Sequence, residues 1–229
     1  MASTWTAVVP VRRGSKGLPG KNLRPLAGKP LYRHAVDLAL AAGATRVIVS
    51  TDIPEILAAP ETAGVSVLER PAELCADETP MAPVLKHALD ALAVSGPVVL
   101  LQATSPLRRI EQLREALARF AAGGVELVMS VTAANRSVLK WGFVNDGHFT
   151  PIGKPEWCFA NRQQLPAVYR PNGAIYVVDS ARFRREGSFV TPQVGVVVMP
   201  EEDSGDIDSL ADFEHCAAVL AARNEEEKR

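Results

Sequence analysis

Residues 7–22 run Ala-Val-Val-Pro-Val-Arg-Arg-Gly-Ser-Lys-Gly-Leu-Pro-Gly-Lys-Asn, an apolar segment that passes directly into a basic, glycine-rich loop. The near-continuous apolar character of 7–11 is typical of a strand buried on both faces of a sheet. Glycines at 14, 17 and 20 allow the backbone to turn and to approach a ligand closely. A buried strand that ends in such a loop predicts an α/β fold, because these folds bind ligands at the carboxyl ends of their strands.

The pattern continues along the chain as apolar runs that alternate with longer Ala- and Leu-rich stretches. Further strands are predicted over 46–50, 65–68, 98–101, 127–131, 174–178 and 194–199. Helical spacing and composition predict helices over 32–42, 54–63, 81–94, 109–122 and 209–222, followed by a charged tail over 224–229. This alternation predicts a three-layer α/β sandwich with a mostly parallel sheet, built as a single domain over 1–229.

The alternation stops over 132–171. This stretch contains Trp141, Trp157 and several Asn, Gly and Pro residues, in place of a clear strand or helix pattern. Asp146-Gly147 tolerates the positive φ angles of a tight turn and predicts a short hairpin there. We expect residues 132–171 to leave the main sheet as an inserted element that packs on another subunit.

Composition and charge exclude several classes of protein. The 229 residues carry a net charge of −1, so no overall positive charge would attract nucleic acid or an anionic membrane. No apolar run is long enough for a membrane span, and the first residues lack a signal-peptide pattern, which predicts a cytoplasmic protein. The three cysteines are widely spaced and the four histidines lack metal-ligand spacing, so neither a disulfide nor a zinc site is expected.

The basic loop after the first strand has the chemistry of a phosphate-binding site. Arg12, Lys16 and Lys21 supply positive charge, Ser15 supplies a hydroxyl donor, and successive backbone amides can form a concave anion site. A triphosphate requires such a local cluster in a chain without net positive charge. The spacing matches neither the dinucleotide-binding G-x-G-x-x-G motif nor the P-loop. The alternative is a flexible basic loop on the surface.

Two acids near the end of the chain are candidate metal ligands. Asp206 and Asp208 are two residues apart, so in an extended segment both carboxylates point the same way. Oxygen ligands of this kind suit Mg²⁺, which keeps several waters and bridges to substrate phosphates. On spacing alone the favoured alternative is that Asp208 or Ser209 caps the helix that begins near Leu210. The preceding acids, 201–203, are expected to be solvated surface charges.

Other polar residues are ambiguous without further information. Gln102, Thr104 and Ser105 follow the strand over 98–101 and so lie at the ligand end of the sheet. Ordinary turn chemistry before Pro106 explains them equally well. Arg70, taken by itself, is typical of a surface charge.

Several segments together resemble the signature of the acylneuraminate cytidylyltransferases. The resembling blocks are 12–31, Ser50-Thr51-Asp52, Arg70-Pro71-Ala72-Glu73-Leu74, 101–108, 162–166, 170–176 and Ser204-Gly205-Asp206-Ile207-Asp208. They follow the order of the family and span nearly the whole chain. The resemblance implies a fold of the nucleotide-diphospho-sugar transferase type and a homodimer.

The resemblance also implies an activity and a site. CTP is the implied co-substrate and Mg²⁺ the cofactor, and the anomeric hydroxyl of an acidic sugar attacks the α-phosphate and releases pyrophosphate. Catalysis is implied for Arg12, Lys21 and Asp208, and Mg²⁺ binding for Asp206 and Asp208. A role for Asp208 as proton acceptor is weakened by the low basicity of a metal-bound carboxylate.

The implied binding residues fall into two sets. The implied nucleotide-binding residues are Arg12, Gly14, Ser15, Lys16, Lys21, Asn22, Arg70, Asp77 and Thr79. Within this set the resemblance places Arg70, Asp77 and Thr79 at the base and ribose. The implied residues for the sugar acid are Gln102, Thr104, Ser105, Lys140, Arg162, Gln163, Arg170 and Phe189. In the family some of the basic residues reach across the dimer interface.

The chain departs from the family pattern mainly on the acceptor side. Sialic-acid-specific relatives can present two aromatic residues where this chain has only Phe189. The acceptor is therefore left open among sialic acid, another nonulosonic acid, 3-deoxy-manno-octulosonate and a different small acid. Enzymes for the eight-carbon octulosonate lack the stretch Gly14-Ser15-Lys16-Gly17. A catalytically silent nucleotide-binding relative would have a broken loop or lost aspartates, and neither is seen in this sequence.

Overall fold

The apolar run that opens the chain forms a strand near the middle of a seven-stranded sheet. The computed structural model describes residues 4–60 and 62–226, and the parts of the predicted domain at 1–3, 61 and 227–229 lie outside the described residues. The strands, numbered in chain order, are β1 (Thr6–Val11), β2 (Pro25–Leu26), β3 (Lys29–Pro30), β4 (Arg46–Thr51), β5 (Val65–Glu69), β6 (Pro97–Leu101), β7 (Leu127–Ala134), β8 (Gly142–Asn145), β9 (His148–Pro151), β10 (Val168–Asp179) and β11 (Val194–Val198).

The sheet is mostly parallel, as predicted. Its strand order is β11-β7-β10-β6-β1-β4-β5. Strand β10 is antiparallel to both of its neighbours, and the other pairs in this sheet are parallel. The carboxyl ends of β1, β4, β5 and β6 therefore lie along the same edge of the sheet, which is where the polar loops of the sequence emerge.

Helices cover both faces of the sheet. They are α1 (Leu31–Ala41), α2 (Pro54–Leu57), α3 (Met81–Ala91), α4 (Ile110–Ala121), α5 (Ser180–Glu186) and α6 (Leu210–Glu226). Successive side chains of a strand point to opposite faces. Ala7 and Val9 accordingly pack in one buried cluster with α1, α2 and α4, whereas Val8 packs in a second cluster with α3 and α5. The predicted three-layer α/β sandwich is confirmed.

Several predicted boundaries are wrong. Helix α2 ends at Leu57 rather than at residue 63, because the proline at 60 disfavours helical backbone in the residue before it. Residues 224–226 belong to α6 and not to a charged tail. Helix α5 was not predicted, although Asp179 caps it by accepting a hydrogen bond from the Arg182 amide. No helix in the described residues is long and apolar enough to cross a membrane.

The inserted element at 132–171 is anchored in the sheet at both ends. Strand β7 continues to Ala134, and β10 begins at Val168, and the two residues pair in an antiparallel ladder. Beyond this ladder the chain forms the β8–β9 hairpin and three short 3-10 turns. The predicted hairpin turn is confirmed, with positive φ at Asp146 (50°) and Gly147 (76°).

Candidate active site

A cleft opens at the edge of the sheet where β1, β5 and β6 end. We call it the carboxyl-end cleft. Its lining is Pro10, Arg12, Gly14, Lys21, Asn22, Arg70, Leu74, Ala76, Asp77, Thr79, Met81, Val84, Gln102, Ala103, Thr104, Asp206 and Asp208. The parallel order of β5, β4, β1 and β6 explains why loops far apart in sequence meet here. Most of the residues implied for the nucleotide, and both implied metal ligands, lie on this one surface.

The loop predicted to bind phosphate, residues 12–22, is called the phosphate loop below and packs against the late part of the chain. Leu18 is buried in a cluster with Ile207 and with side chains of α6. A side chain at Gly17 would not fit, since a Cβ there would lie 2.1 Å from the carbonyl oxygen of Asp208. Gly20, with a left-handed backbone (φ 66°), precedes the 3-10 turn that carries Lys21. The backbone of the loop therefore touches the backbone of the aspartate segment.

Lys21 joins the phosphate loop to the late aspartates. Its side chain is buried, in contrast to the exposed position that a flexible surface loop would give it. The ammonium group donates to the carbonyl oxygen of Ile207 and lies 2.9 Å from Oδ1 of Asp208. Two segments separated by 187 positions in sequence thus meet through one charged contact. The interpretation of the loop as a flexible surface segment is not supported at this residue.

Two further cations of the loop, Arg12 and Lys16, share one acid. The Arg12 guanidinium forms an ion pair with Oδ1 of Asp77, and Nζ of Lys16 lies 3.1 Å from Oδ2 of the same residue. The hydrogen bond from Arg12, followed by that from Lys16, holds the pKa of the Asp77 carboxyl below its ordinary value. Asp77 therefore lies against Arg12 and Lys16, whereas the resemblance implied a place for it at the base and ribose.

The two candidate metal ligands differ in their surroundings. Asp206 is accessible from the cleft but has protein on several sides, and this desolvation raises its pKa, against a smaller lowering by a hydrogen bond from Thr104. The negative charge of Asp208 raises the pKa of Asp206 further, and both residues line the carboxyl-end cleft. Ser209, not Asp208, caps α6, since its hydroxyl accepts a hydrogen bond from the Asp212 amide. Because Ser209 is the cap, the Asp208 side chain is not needed for capping, and Asp208 lines the cleft.

The segment before these aspartates is anchored by a buried acid that sequence reasoning placed at the surface. Asp203 is 2% exposed. It accepts hydrogen bonds from Nε2 of Gln112 at 2.6 Å, from Nε of Arg109 at 3.1 Å and from Arg223. Helices α4 and α6 are thereby tied to the loop that carries the candidate metal ligands. The expectation that residue 203 is a solvated charge is wrong, because three donors from other elements compensate its burial.

Two buried arginines hold backbone carbonyl groups of the strands and loops near the cleft. Arg70 is 4% exposed and donates to the hydroxyl and the carbonyl oxygen of Ser50, so the expectation of a surface charge is wrong. Arg108, which was not among the predicted site residues, donates to the backbone carbonyls of Gln102 and Ala174. Burial lowers the pKa of Arg108 to about 9. Its position in the block 101–108 was the available signal, but only the fold shows which carbonyl groups it holds.

The residues implied for the sugar acid are divided by the structure. Gln102 and Thr104 line the carboxyl-end cleft. Arg170 lies in an adjoining recess whose lining includes Tyr176 and Asp206, and Asp206 also belongs to the cleft. Ser105 is 1% exposed and does not line either space.

The remaining implied residues do not line the cleft. Phe189 packs against the rings of Tyr176 and Phe183, with centroids 5.5 and 4.8 Å apart. Lys140, Arg162 and Gln163 lie on the inserted element. The predicted roles of these residues therefore stay predictions.

The arrangement suits transfer of a charged phosphate group. At this one cleft, cations on the loop after the first strand face two carboxylates from a late segment. A family model described as "Cytidylyltransferase" matches residues 6–148. The chain belongs to the cytidylyltransferase family.

Named relatives extend over almost the whole chain. The chain is 33% identical to an N-acylneuraminate cytidylyltransferase of Streptococcus agalactiae serotype III (strain NEM316), over 96% of this chain and 55% of the relative. It thus spans about half the length of that protein. It is 32% identical to a CMP-N,N'-diacetyllegionaminic acid synthase of Legionella pneumophila subsp. pneumophila (strain Philadelphia 1), over 90% of this chain and 92% of the relative.

A solved structure confirms the fold. The structure of CMP:2-keto-3-deoxy-manno-octonic acid synthetase complexed with CTP superimposes with a TM-score of 0.74 at 20% identity, covering 96% of this chain and all of the other. At this identity the likeness establishes the fold alone. The predicted α/β sandwich with a mostly parallel sheet is therefore also the fold of this solved structure.

Proposed function

We propose that this protein transfers CMP from CTP to the anomeric hydroxyl of an acidic nonulosonic sugar of the sialic acid type and releases pyrophosphate. The observation that carries the proposal is the single cleft in which Arg12 and Lys21 face Asp206 and Asp208. The names of the relatives, one for N-acylneuraminate and one for diacetyllegionaminate, support an acidic nine-carbon acceptor. A single catalytic domain with a dimerisation element at 132–171 is part of this proposal.

The nucleotide half of the site is supported by its cations and by one free acceptor. Lys21 is held by its contact with Asp208, so its ammonium group needs little reordering to meet a phosphate oxygen. Asn22 donates to the carbonyl oxygen of Arg12 at 2.9 Å, while its Oδ1 is buried and has no hydrogen-bond partner within the described residues. A buried acceptor of this kind is stabilised by a donor from a bound ligand. We assign that donor to the nucleotide.

The late aspartates fit Mg²⁺ in type and number. No group of three or more His, Cys, Asp or Glu residues that could hold a metal occurs in the described residues. Two carboxylates at one cleft suit an ion that completes its shell with waters and substrate phosphates. We propose that Asp206 and Asp208 hold Mg²⁺, which when bound offsets charge on the phosphates. Lys21, at 2.9 Å from Asp208, keeps that carboxylate oriented toward the phosphate loop.

The acceptor half is supported by the recess beside Asp206. Arg170 lies in this recess and is exposed, so its guanidinium is available for a sugar carboxylate, which it can bind through two parallel hydrogen bonds. Tyr176 lines the same recess, and burial, followed by the charge of Asp206, raises the pKa of its hydroxyl, which stays a neutral donor. Gln102 lines the adjoining carboxyl-end cleft and not the recess. An acidic sugar placed here would have its anomeric hydroxyl next to the phosphate site.

The inserted element supports a homodimer by its exposed apolar side chains. Their exposed fractions are 63% at Trp141, 65% at Phe143, 69% at Val144, 53% at Phe149 and 92% at Phe159. Such a concentration is typical of a protein interface. Lys140 and Arg162 lie on this element, and the resemblance implies that some of the basic residues reach across the dimer interface. We place the reaction in the cytoplasm, where CTP is available.

Pyrophosphate release tests the activity directly. The purified chain is mixed with CTP, Mg²⁺ and a panel of α-keto sugar acids that includes sialic, legionaminic and octulosonic acids. We expect release only when all three components are present, and most rapidly with a nine-carbon acid. Asp208→Asn should abolish release, whereas Glu214→Gln, which removes an exposed acid from α6, should not. Full activity of Asp208→Asn would contradict the metal assignment, and no release with any acid would refute the proposed function.

Light scattering on the eluate of a sizing column tests the dimer. We expect the mass of a dimer for the wild-type chain and of a monomer for Phe159→Glu. Val190→Glu is the matched control, since Val190 is 85% exposed but lies outside the inserted element. A monomeric wild-type chain would refute the dimer without affecting the activity proposal.

A further inference from the structure

Asp77 forms ion pairs with Arg12 and Lys16, two cations to which the proposed function assigns phosphate binding. Its two carboxylate oxygens are divided between Arg12 and Lys16, one oxygen to each. The next residue, Glu78, is an exposed acid in the same turn, and it has no ion-pair partner among the described residues. The turn that carries Asp77 joins β5 to α3 and also lines the carboxyl-end cleft.

A carboxylate and a phosphate oxygen compete for the same donors. A guanidinium binds either group through its planar N–H donors, and an ammonium group binds either as a point charge. Arg12 and Lys16 cannot keep their present contacts with Asp77 and at the same time turn those N–H groups to a polyphosphate. This competition does not apply to Lys21, because its partner is Asp208, which belongs to the proposed metal-binding pair. The competition therefore concerns Arg12 and Lys16.

We propose that Asp77 is an internal competitor for the phosphate-binding cations, which the polyphosphate of the substrate must displace and which takes the cations back when pyrophosphate leaves. This inference rests on the proposed function, and it assigns Asp77 a role opposite to that of a ribose-binding residue. The exposure of the partners makes the exchange inexpensive, since the side chains of Lys16, Arg12 and Asp77 are 83%, 32% and 25% exposed. Exposed ion pairs of this kind are weak and readily replaced.

Binding of inorganic pyrophosphate to the full chain tests the inference, because pyrophosphate has neither base nor ribose. Titration calorimetry compares the wild-type chain with Asp77→Asn, Asp77→Ala and Glu78→Gln. We expect both Asp77 variants to bind pyrophosphate about two- to fivefold more tightly than the wild-type chain, which is the range expected for loss of an exposed competing pair. Glu78→Gln also removes one negative charge, but Glu78 forms no ion pair among the described residues. It should therefore change the affinity for pyrophosphate less than the Asp77 variants do.

The salt dependence provides a second readout. The gain in affinity should shrink at high ionic strength, because exposed pairs are screened by salt. Unchanged or weaker pyrophosphate binding by the folded Asp77 variants, or an equal gain in Glu78→Gln, would overturn the inference. A wild-type chain that binds pyrophosphate but transfers no nucleotide would instead refute the proposed function, so the two failures are distinguishable.

Discussion

Replacing Gly17 with alanine changes the position of the phosphate loop without changing its charge. The added Cβ would lie 2.1 Å from the carbonyl oxygen of Asp208 and 3.1 Å from its carbonyl carbon. Both are backbone atoms, so no side-chain rotation relieves the contact. Either the loop or the aspartate segment has to move.

The size of that movement follows from the geometry. Real Cβ atoms essentially never come within 3.0 Å of another heavy atom, so the contact of 2.1 Å requires a shift of at least 0.9 Å. The distance of 2.9 Å between Nζ of Lys21 and Oδ1 of Asp208 spans the same two segments and should lengthen. A displacement of about 1 Å at a reacting centre costs on the order of 100-fold in rate. We expect a loss of this order in kcat.

The assay is pyrophosphate release at saturating CTP and Mg²⁺, together with thermal denaturation. Overpacking should cost about 1–3 kcal/mol of stability in Gly17→Ala. Gly43→Ala is the control, since Gly43 has a φ of 91° and, apart from its chain neighbours, no atom of the described residues lies within 4 Å of its Cβ position. It precedes β4, at the opposite edge of the sheet from the cleft. Strain at a left-handed position should cost it about 1 kcal/mol of stability, with no effect on turnover.

Two results would refute the reasoning. A folded Gly17→Ala enzyme with a kcat within about threefold of the wild type would show that the packing of loop against aspartate segment does not set the active geometry. An equal loss of kcat in Gly43→Ala would show that the effect comes from reduced stability and not from position.

Three further predictions concern charge, packing and thiol chemistry. Lys21→Met keeps the buried aliphatic part of the side chain but removes the ammonium group. It should lower kcat/KM for CTP by about 100-fold or more, as for loss of one preorganised donor, with little change in melting temperature. Unchanged kinetics would contradict the role of Lys21. Phe183→Ala should lower the unfolding free energy in urea by about 3–5 kcal/mol, because Phe183 is fully buried; a loss well below this range would contradict its assignment to the core. Burial raises the pKa of the Cys216 thiol to about 11, so at pH 8 it is protonated, and iodoacetamide should label it only after denaturation, as peptide mass spectrometry can show.

The buried strands were predictable because each one is marked by a short, continuous run of apolar residues. The runs 46–50 and 98–101 correspond to the buried strands β4 and β6 within one residue. A strand that is covered on both faces needs apolar side chains at nearly every position, and that requirement is visible in five or six residues. The ends of helices were less predictable. The early end of α2 and the extension of α6 to Glu226 depend on turns and packing that a helical composition does not reveal.

The candidate site was predictable as a set of residues but not as a set of contacts. The phosphate loop and the late aspartates were both recognisable, and the fold brings them into one cleft. The buried Arg70 and Asp203 were expected at the surface, since Arg and Asp are rarely buried unless paired. Their partners, Ser50 for Arg70 and Gln112 for Asp203, lie in other elements of the fold. No local pattern could have identified them.

By itself the sequence determined the class of fold and predicted a kind of ligand, because side-chain periodicity and the charge of a loop act over a few neighbouring residues. The tertiary structure alone decided which acid meets which cation. Arg12 and Asp77 are 65 positions apart and Lys21 and Asp208 are 187 apart. Coulombic attraction depends on distance in space, and that distance exists only once the parallel strands have brought their carboxyl ends to one edge of the sheet.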